Sequence, residues 1–215
     1  MNLQRLASWI DRFQLWVSIH TPYDGLTISV LDLHDNSKAL VSRVKEALAL
    51  LECYDARCYR RLKRDCQRIW LKVLVGAIGE YQHSLRAIAL DQRFLASTAT
   101  PTSYISATLV HEATHARLNA WGIGYTEAER ARVERFCFQQ ELAFAQLLPD
   151  SESLVAMVRR MQALPATTWD NDSLQATAIR RAPAAFNYVG APSWVARLVV
   201  WSAQFSRWLR RKRAA

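Results

Sequence analysis

Residues 109–118 read LVHEATHARL, with two histidines four apart and a glutamate directly after the first. Residues i and i+4 of an α-helix share a face, so His111 and His115 point the same way, one turn apart. Two imidazoles so placed can grip one Zn²⁺ ion, each at about 2.0–2.1 Å. Glu112 lies off to one side, too far round to ligate well but within reach of a water on the metal. The pattern thus divides the work between two ligands and one general base. It also arises by accident in on the order of one chain per hundred of this length, so the argument turns on a third ligand. A catalytic zinc takes three protein ligands and leaves one position for water.

The third ligand has to come from the next helix. From His115 to the turn at Gly122 the helix rises roughly 10 Å, and from Thr126 to Glu134 the following helix returns roughly 12 Å. Glu134 therefore comes back to the level of His115. It shares a helix side with Cys137, Phe138, Glu141, Ala145 and Leu148, whereas Arg132, Arg135, Gln139 and Gln146 fall on another. Carboxylates among apolar neighbours are costly unless partnered. A metal accounts for Glu134, and the alternative is an ion pair with Arg130, four residues earlier. Glu141, two turns further, can orient a histidine or bind an arginine. Glu129 fits a capping box with Thr126, and Glu127 suits the positive end of the helix dipole. Cys137 reads as a small buried residue and not as a ligand.

His111, Glu112, His115 and Glu134 give HExxH, eighteen residues, then Glu. This resembles the gluzincin zinc peptidases, and the gap is the spacing of the membrane alanyl aminopeptidase family within them. The metzincin pattern fails, because Leu118 and Trp121 stand where its Gly and third His belong. The matched core covers residues 84–148. The resemblance implies a zincin-like fold, a zinc cofactor, and a peptide or protein substrate lying extended on a strand before the HExxH helix, for which residues 84–95 are the candidate. It also implies a Tyr or His that stabilises the oxyanion, and the candidates are Tyr125 in the turn and Tyr188 in a later loop, with Tyr104 early in the helix. The aminopeptidases' Gly-x-Met-Glu-Asn stretch has no counterpart, since the nearest segment is GAIGE at 76–80. Exopeptidase specificity is therefore not implied.

The elements that must position these residues are partly legible. Thr100 and Pro101 open the HExxH helix, which runs to Trp121, where Gly122 stops it. A second helix follows from Thr126 to about Leu148, so residues 101–148 form two antiparallel helices. Upstream, residues 3–19 predict an amphipathic helix with Leu3, Leu6, Ile10, Phe13 and Val17 on its apolar stripe and Trp9 and Trp16 beside it. TPYDG marks a turn, residues 26–33 a strand, and Ser37 the start of a helix to about Glu52. A basic helix follows at about 55–67. Residues 68–75 read equally as strand or helix end. Downstream come a helix at about 152–164, a loop containing Pro165 and Pro183, and a last helix from Ser193. That helix carries Trp194, Leu198, Trp201, Phe205 and Trp208, with a basic tail completing residues 193–215.

The chain has 215 residues, 51% hydrophobic and 22% charged, which suits one globular domain over 1–215 and excludes a disordered chain. The expected class is α+β: a mainly helical zincin-like domain with a small β-sheet and an antiparallel HExxH/Glu helix pair. No run of about 18 apolar residues exists, no CxxC pair occurs, and Asp11 and Arg12 break the first apolar stretch, so the expected compartment is the cytoplasm. Net charge is +9. Seven cations between Arg57 and Lys72 face one Asp65, and the tail holds Arg207, Arg210, Arg211, Lys212 and Arg213. Two function classes follow. One is a zinc hydrolase, most simply a metallopeptidase. The other is a basic binding protein for nucleic acid or acidic partners, with a non-catalytic metal site. The terminal aromatic stripes either pack on each other or rest on an anionic membrane surface.

Overall fold

The structure, a computed structural model, describes residues 3–192 and 194, with side chains from residue 9 onward. The chain is α+β and mainly helical. Strand β1 (Ile19–Tyr23) and β2 (Leu26–Val30) form an antiparallel hairpin. Its two-residue turn, Asp24-Gly25, has φ of 44° and 80°. Positive φ at both positions matches the right-handed twist of the flanking strands, which is why Asp-Gly serves there. Strands β3 (Arg68–Lys72), β4 (Gly79–Gln82) and β5 (Ala87–Asp91) complete a sheet of order β1-β2-β3-β5-β4. The three middle strands run parallel and β4 is an antiparallel edge.

The register sorts the sheet into two faces. Ile28, Ile69 and Ile88 are neighbours, as are Val30, Leu71 and Leu90, and all six side chains join the main core. Helices α2 (Ser37–Tyr54), α3 (Ala56–Asp65) and α5 (Thr102–Ala120) contribute Val44, Leu48, Leu62, Ile105 and Leu109 to the same core. Ser29, Trp70 and Ala89 point to the other face. Helix α1 (Leu3–Trp16) lies there: Asp11 pairs with Lys72 at 2.6 Å, and the Trp70 indole donates to the Ser18 hydroxyl at 3.3 Å. A short α4 (Gln92–Ala96) leads from β5 towards α5, followed by α6 (Glu127–Ala145), α7 (Glu152–Gln162) and α8 (Asn171–Tyr188).

Four expectations need correction. The strand read over residues 84–95 is β5 followed by α4, and β5 is an interior strand buried along its whole length. The edge strand beside the HExxH helix is β4, which begins at Gly79 within the GAIGE segment. Helix α8 runs through Pro183. It is anchored at its start, where Asp170 accepts from the Ser173 amide at 2.6 Å, and Ala182 and Ala185 are buried further along. Last, the stripe Ile10, Phe13 and Val17 of the first helical segment is exposed, and the inward side is the partly polar one, Asp11, Leu15 and Ser18. The helix expected from Ser193 and its tail lie outside the described residues, Trp194 excepted.

Candidate metal centre

α5 and α6 pack as antiparallel neighbours around a turn in which Gly122 takes φ of 76°, the left-handed position that ends α5. Thr126 caps α6 without the reciprocal box, its hydroxyl bonding the Glu129 carboxylate at 3.2 Å. The expected level match follows from this hairpin. His111, His115 and Glu134 converge, with the two histidine Nε2 atoms 3.3 Å apart. Glu134 places Oε2 3.2 Å from His111 Nε2 and Oε1 3.4 Å from His115 Nε2. Tetrahedral bonds of about 2.0–2.1 Å require donors roughly 3.3–3.4 Å apart, the spacing of the two histidine nitrogens, and Glu134 meets each of them through a different oxygen.

The surrounding groups hold that geometry. Glu141 accepts from His111 Nδ1 at 3.0 Å and is itself buried, which leaves Nε2 as the nitrogen facing the cluster. The Phe138 ring stands against His111 at 4.6 Å and Trp169 against Phe138 at 5.7 Å. Tyr125 packs edge-on to His115 and donates its hydroxyl to Glu134 Oε1. Of the three oxyanion candidates, Tyr125 is thus at the cluster, whereas the Tyr104 ring packs against Phe94 at 5.0 Å. Tyr188 is elsewhere: its ring meets His34 at 4.5 Å and its carbonyl is bonded by the same histidine.

Cys137 is the residue that sequence reasoning set aside. Its fully buried sulfur and the ring nitrogens of His111 and His115 all lie within 4.8 Å of one another, so α6 offers two possible third donors, one turn apart. Glu134 reaches the histidine nitrogens through its two oxygens, at 3.2 and 3.4 Å. A thiolate bond of about 2.3 Å sets sulfur–nitrogen separations near 3.5–3.6 Å. The signal for Cys137 was its place three residues after Glu134 on the same face.

Charge states follow from burial and neighbours. Burial opposes a charge on His111, but hydrogen bonds to Glu134 and Glu141 overcome it and hold its proton up to about 10. Burial also works against the Glu134 carboxylate, and the two histidines keep it ionised well below the usual range. Glu112 is raised by burial, opposed by His115 and His111. Burial and the nearby carboxylates of Glu134, Glu112 and Glu141 push the Cys137 thiol up, so it stays protonated without a metal.

Glu112 lies where α5 meets β4. A methyl group added at Gly79 would sit 2.9 Å from Thr108 Cγ2 and 3.1 Å from Glu112 Cγ and Oε1. The bare backbone of Gly79 is what lets the edge strand approach the glutamate so closely. Comparison with protein-family models, curated proteins and solved structures finds no match for this chain.

Proposed function

We propose that the protein is a zinc-dependent hydrolase, a metallopeptidase of gluzincin type, with His111, His115 and Glu134 as ligands and Glu112 as general base. The observation that carries this reading is the convergence of two histidine nitrogens, 3.3 Å apart, with the Glu134 carboxylate, which places a different oxygen within 3.4 Å of each, beside a buried glutamate outside the set. A closed structural site has four protein ligands and no use for such a base. A zinc ion bound by this set would supply a Lewis acid and lower the pKa of a bound water.

The chain's own residues supply the rest. Glu112, with its proton affinity raised by burial, accepts a proton at its carboxylate and returns it to the leaving amine. Glu141 fixes the His111 tautomer. The Tyr125 hydroxyl, held at Glu134, is the donor best placed to stabilise an oxyanion. β4, an edge strand of the sheet among the described residues, offers backbone groups to an extended peptide directly beside Glu112.

The test is metal content of the purified protein beside its Glu134→Ala variant, followed by a peptide-library screen with Glu112→Gln as control. About one zinc per chain, lost in the first variant, and cleavage lost in the second are expected. Cleavage that survives Glu112→Gln would overturn the reading.

A second reading is a basic binding protein with a non-catalytic metal site. It is favoured by the exposed arginines of α3: Arg57, Arg60, Arg61 and Arg64. Nucleic-acid binding that persists without metal, in a protein that cleaves no peptide, would select it.

A further inference from the structure

Helix α1 presents two unlike faces. Asp11, Leu15 and Ser18 recur at helical spacing and turn towards the sheet, where Asp11 meets Lys72. Trp9, Phe13 and Trp16 recur at the same spacing on the outer side, 71%, 62% and 77% exposed. Ile10 and Val17 beside them, and Ile19 at the start of β1, are exposed as well. Single exposed apolar residues are ordinary, but six within eleven positions, three of them large aromatics, are not. The apolar surface continues at a cavity of about 140 Å³ next to α1, where Leu33, Val75 and Val189, each some 40% exposed, meet Gln14. Trp194, also exposed, follows five residues after Val189.

Charge identifies the occupant. Asp11 is the one acid among residues 1–23, and its partner Lys72 lies on the inner side, whereas Arg12 is on the exposed side. At the other end of the sequence, residues 173–215 contain Arg180, Arg181, Arg197, Arg207, Arg210, Arg211, Lys212 and Arg213, and no acid. A second copy would bring like charges together, and net +9 on each chain opposes that. Indole rings beside Arg12, with Asp11 turned inward to Lys72, suit the headgroup layer of an anionic bilayer, where an amphipathic helix lies in plane with its aromatic side down.

We propose that the outer face of α1, with the apolar rim around Leu33, Val75 and Val189, docks the protein on anionic phospholipid surfaces. The metal centre is built on the opposite face of the sheet, so docking leaves it uncovered. This inference does not depend on the hydrolase reading.

The experiment is co-sedimentation of the full chain with vesicles of equimolar phosphatidylcholine and phosphatidylglycerol, beside vesicles of phosphatidylcholine alone. The wild type is expected to sediment with the anionic vesicles and to be released by high salt. The triple variant Trp9→Ser, Phe13→Ser, Trp16→Ser should bind them at least about tenfold more weakly, with circular dichroism unchanged. Arg12→Glu, a milder change on the same side, should weaken binding several-fold. Wild-type protein that stays in the supernatant would overturn the proposal. So would a triple variant that melts lower yet sediments as well, which would assign these rings to packing within the chain. A concentration-dependent dimer abolished by the triple variant, without vesicle binding, would assign the face to a second copy.

Discussion

In the proposed zinc site, metal and a proton would compete for one nitrogen of His111, with a measurable slope. Without metal the imidazole donates from Nδ1 to Glu141 at 3.0 Å, and Nε2 faces Glu134 at 3.2 Å. The two carboxylates hold the proton until about pH 10, against an ordinary value of 6.5. Metal binding through Nε2 must displace it. At pH 7 the gap of three units corresponds to about 4 kcal/mol withheld from zinc affinity. Between pH 6 and 9 affinity should therefore rise about tenfold per unit, roughly a thousandfold in all. The stability of the metal-free protein runs the other way. A group whose pKa is raised on folding stabilises fully below its unfolded value and less as pH climbs through the folded one. The metal-free melting temperature should thus fall between about pH 6.5 and 10, in the range where the zinc-loaded protein gains. Isothermal titration in buffers of differing ionisation enthalpy would count the proton released, and competition with a chromophoric chelator would give the slope. A zinc affinity flat from pH 6 to 9 would show that His111 is neutral before the metal arrives, and would refute the charge assignment of the cluster.

Other expected outcomes concern single side chains. Glu141→Gln should weaken zinc binding by about ten- to a hundredfold, measured by chelator competition, because His111 Nδ1–H exchanges a buried carboxylate acceptor for a neutral amide oxygen. Cobalt substitution separates the two α6 donors: with Glu134 as ligand the spectrum lacks a thiolate charge-transfer band, and Cys137→Ser leaves it unchanged. A strong near-ultraviolet band lost in Cys137→Ser would place sulfur on the metal instead. Gly79→Ala should destabilise the fold by about 1–3 kcal/mol in urea titration, since the branched Thr108 has no room to yield, and should lower turnover by displacing Glu112. Glu112→Gln should bind zinc normally while losing at least about a hundredfold in peptide cleavage.

The convergence of His111, His115 and Glu134 was legible because helical periodicity and a turn glycine suffice to bring three side chains to one level. Glu141 was legible for the same reason, two turns further along one face. Strand β4 was not, because its register is set by pairing with β5 and its glycine is there for close approach to Glu112, which composition alone does not express. The ambiguity at residues 68–75 likewise needed partners, since β3 is defined by the parallel strands on both sides. Trp169 reaches the site through Phe138 and the bond from Arg130 to its carbonyl, links of long sequence separation. Helix α1 had the right period, but period alone leaves open whether its apolar stripe packs or stays exposed. Lys72 and Trp70 on the sheet present a charge and an indole N–H, and these select Asp11 and Ser18 for the inner side.

The two faces of the sheet also define a stand-off distance. α1 lies on one side and the HExxH helix on the other, so two layers, each on the order of 10 Å, separate them. With α1 resting on a bilayer, β4, in the same sheet, would be held about 10 Å above the lipid and the HExxH helix about 20 Å, the reach of roughly six extended residues. Such a geometry would act as a ruler. Bonds at the membrane surface would fall short of the site, and the segments within reach would be those that leave the surface by at least that length.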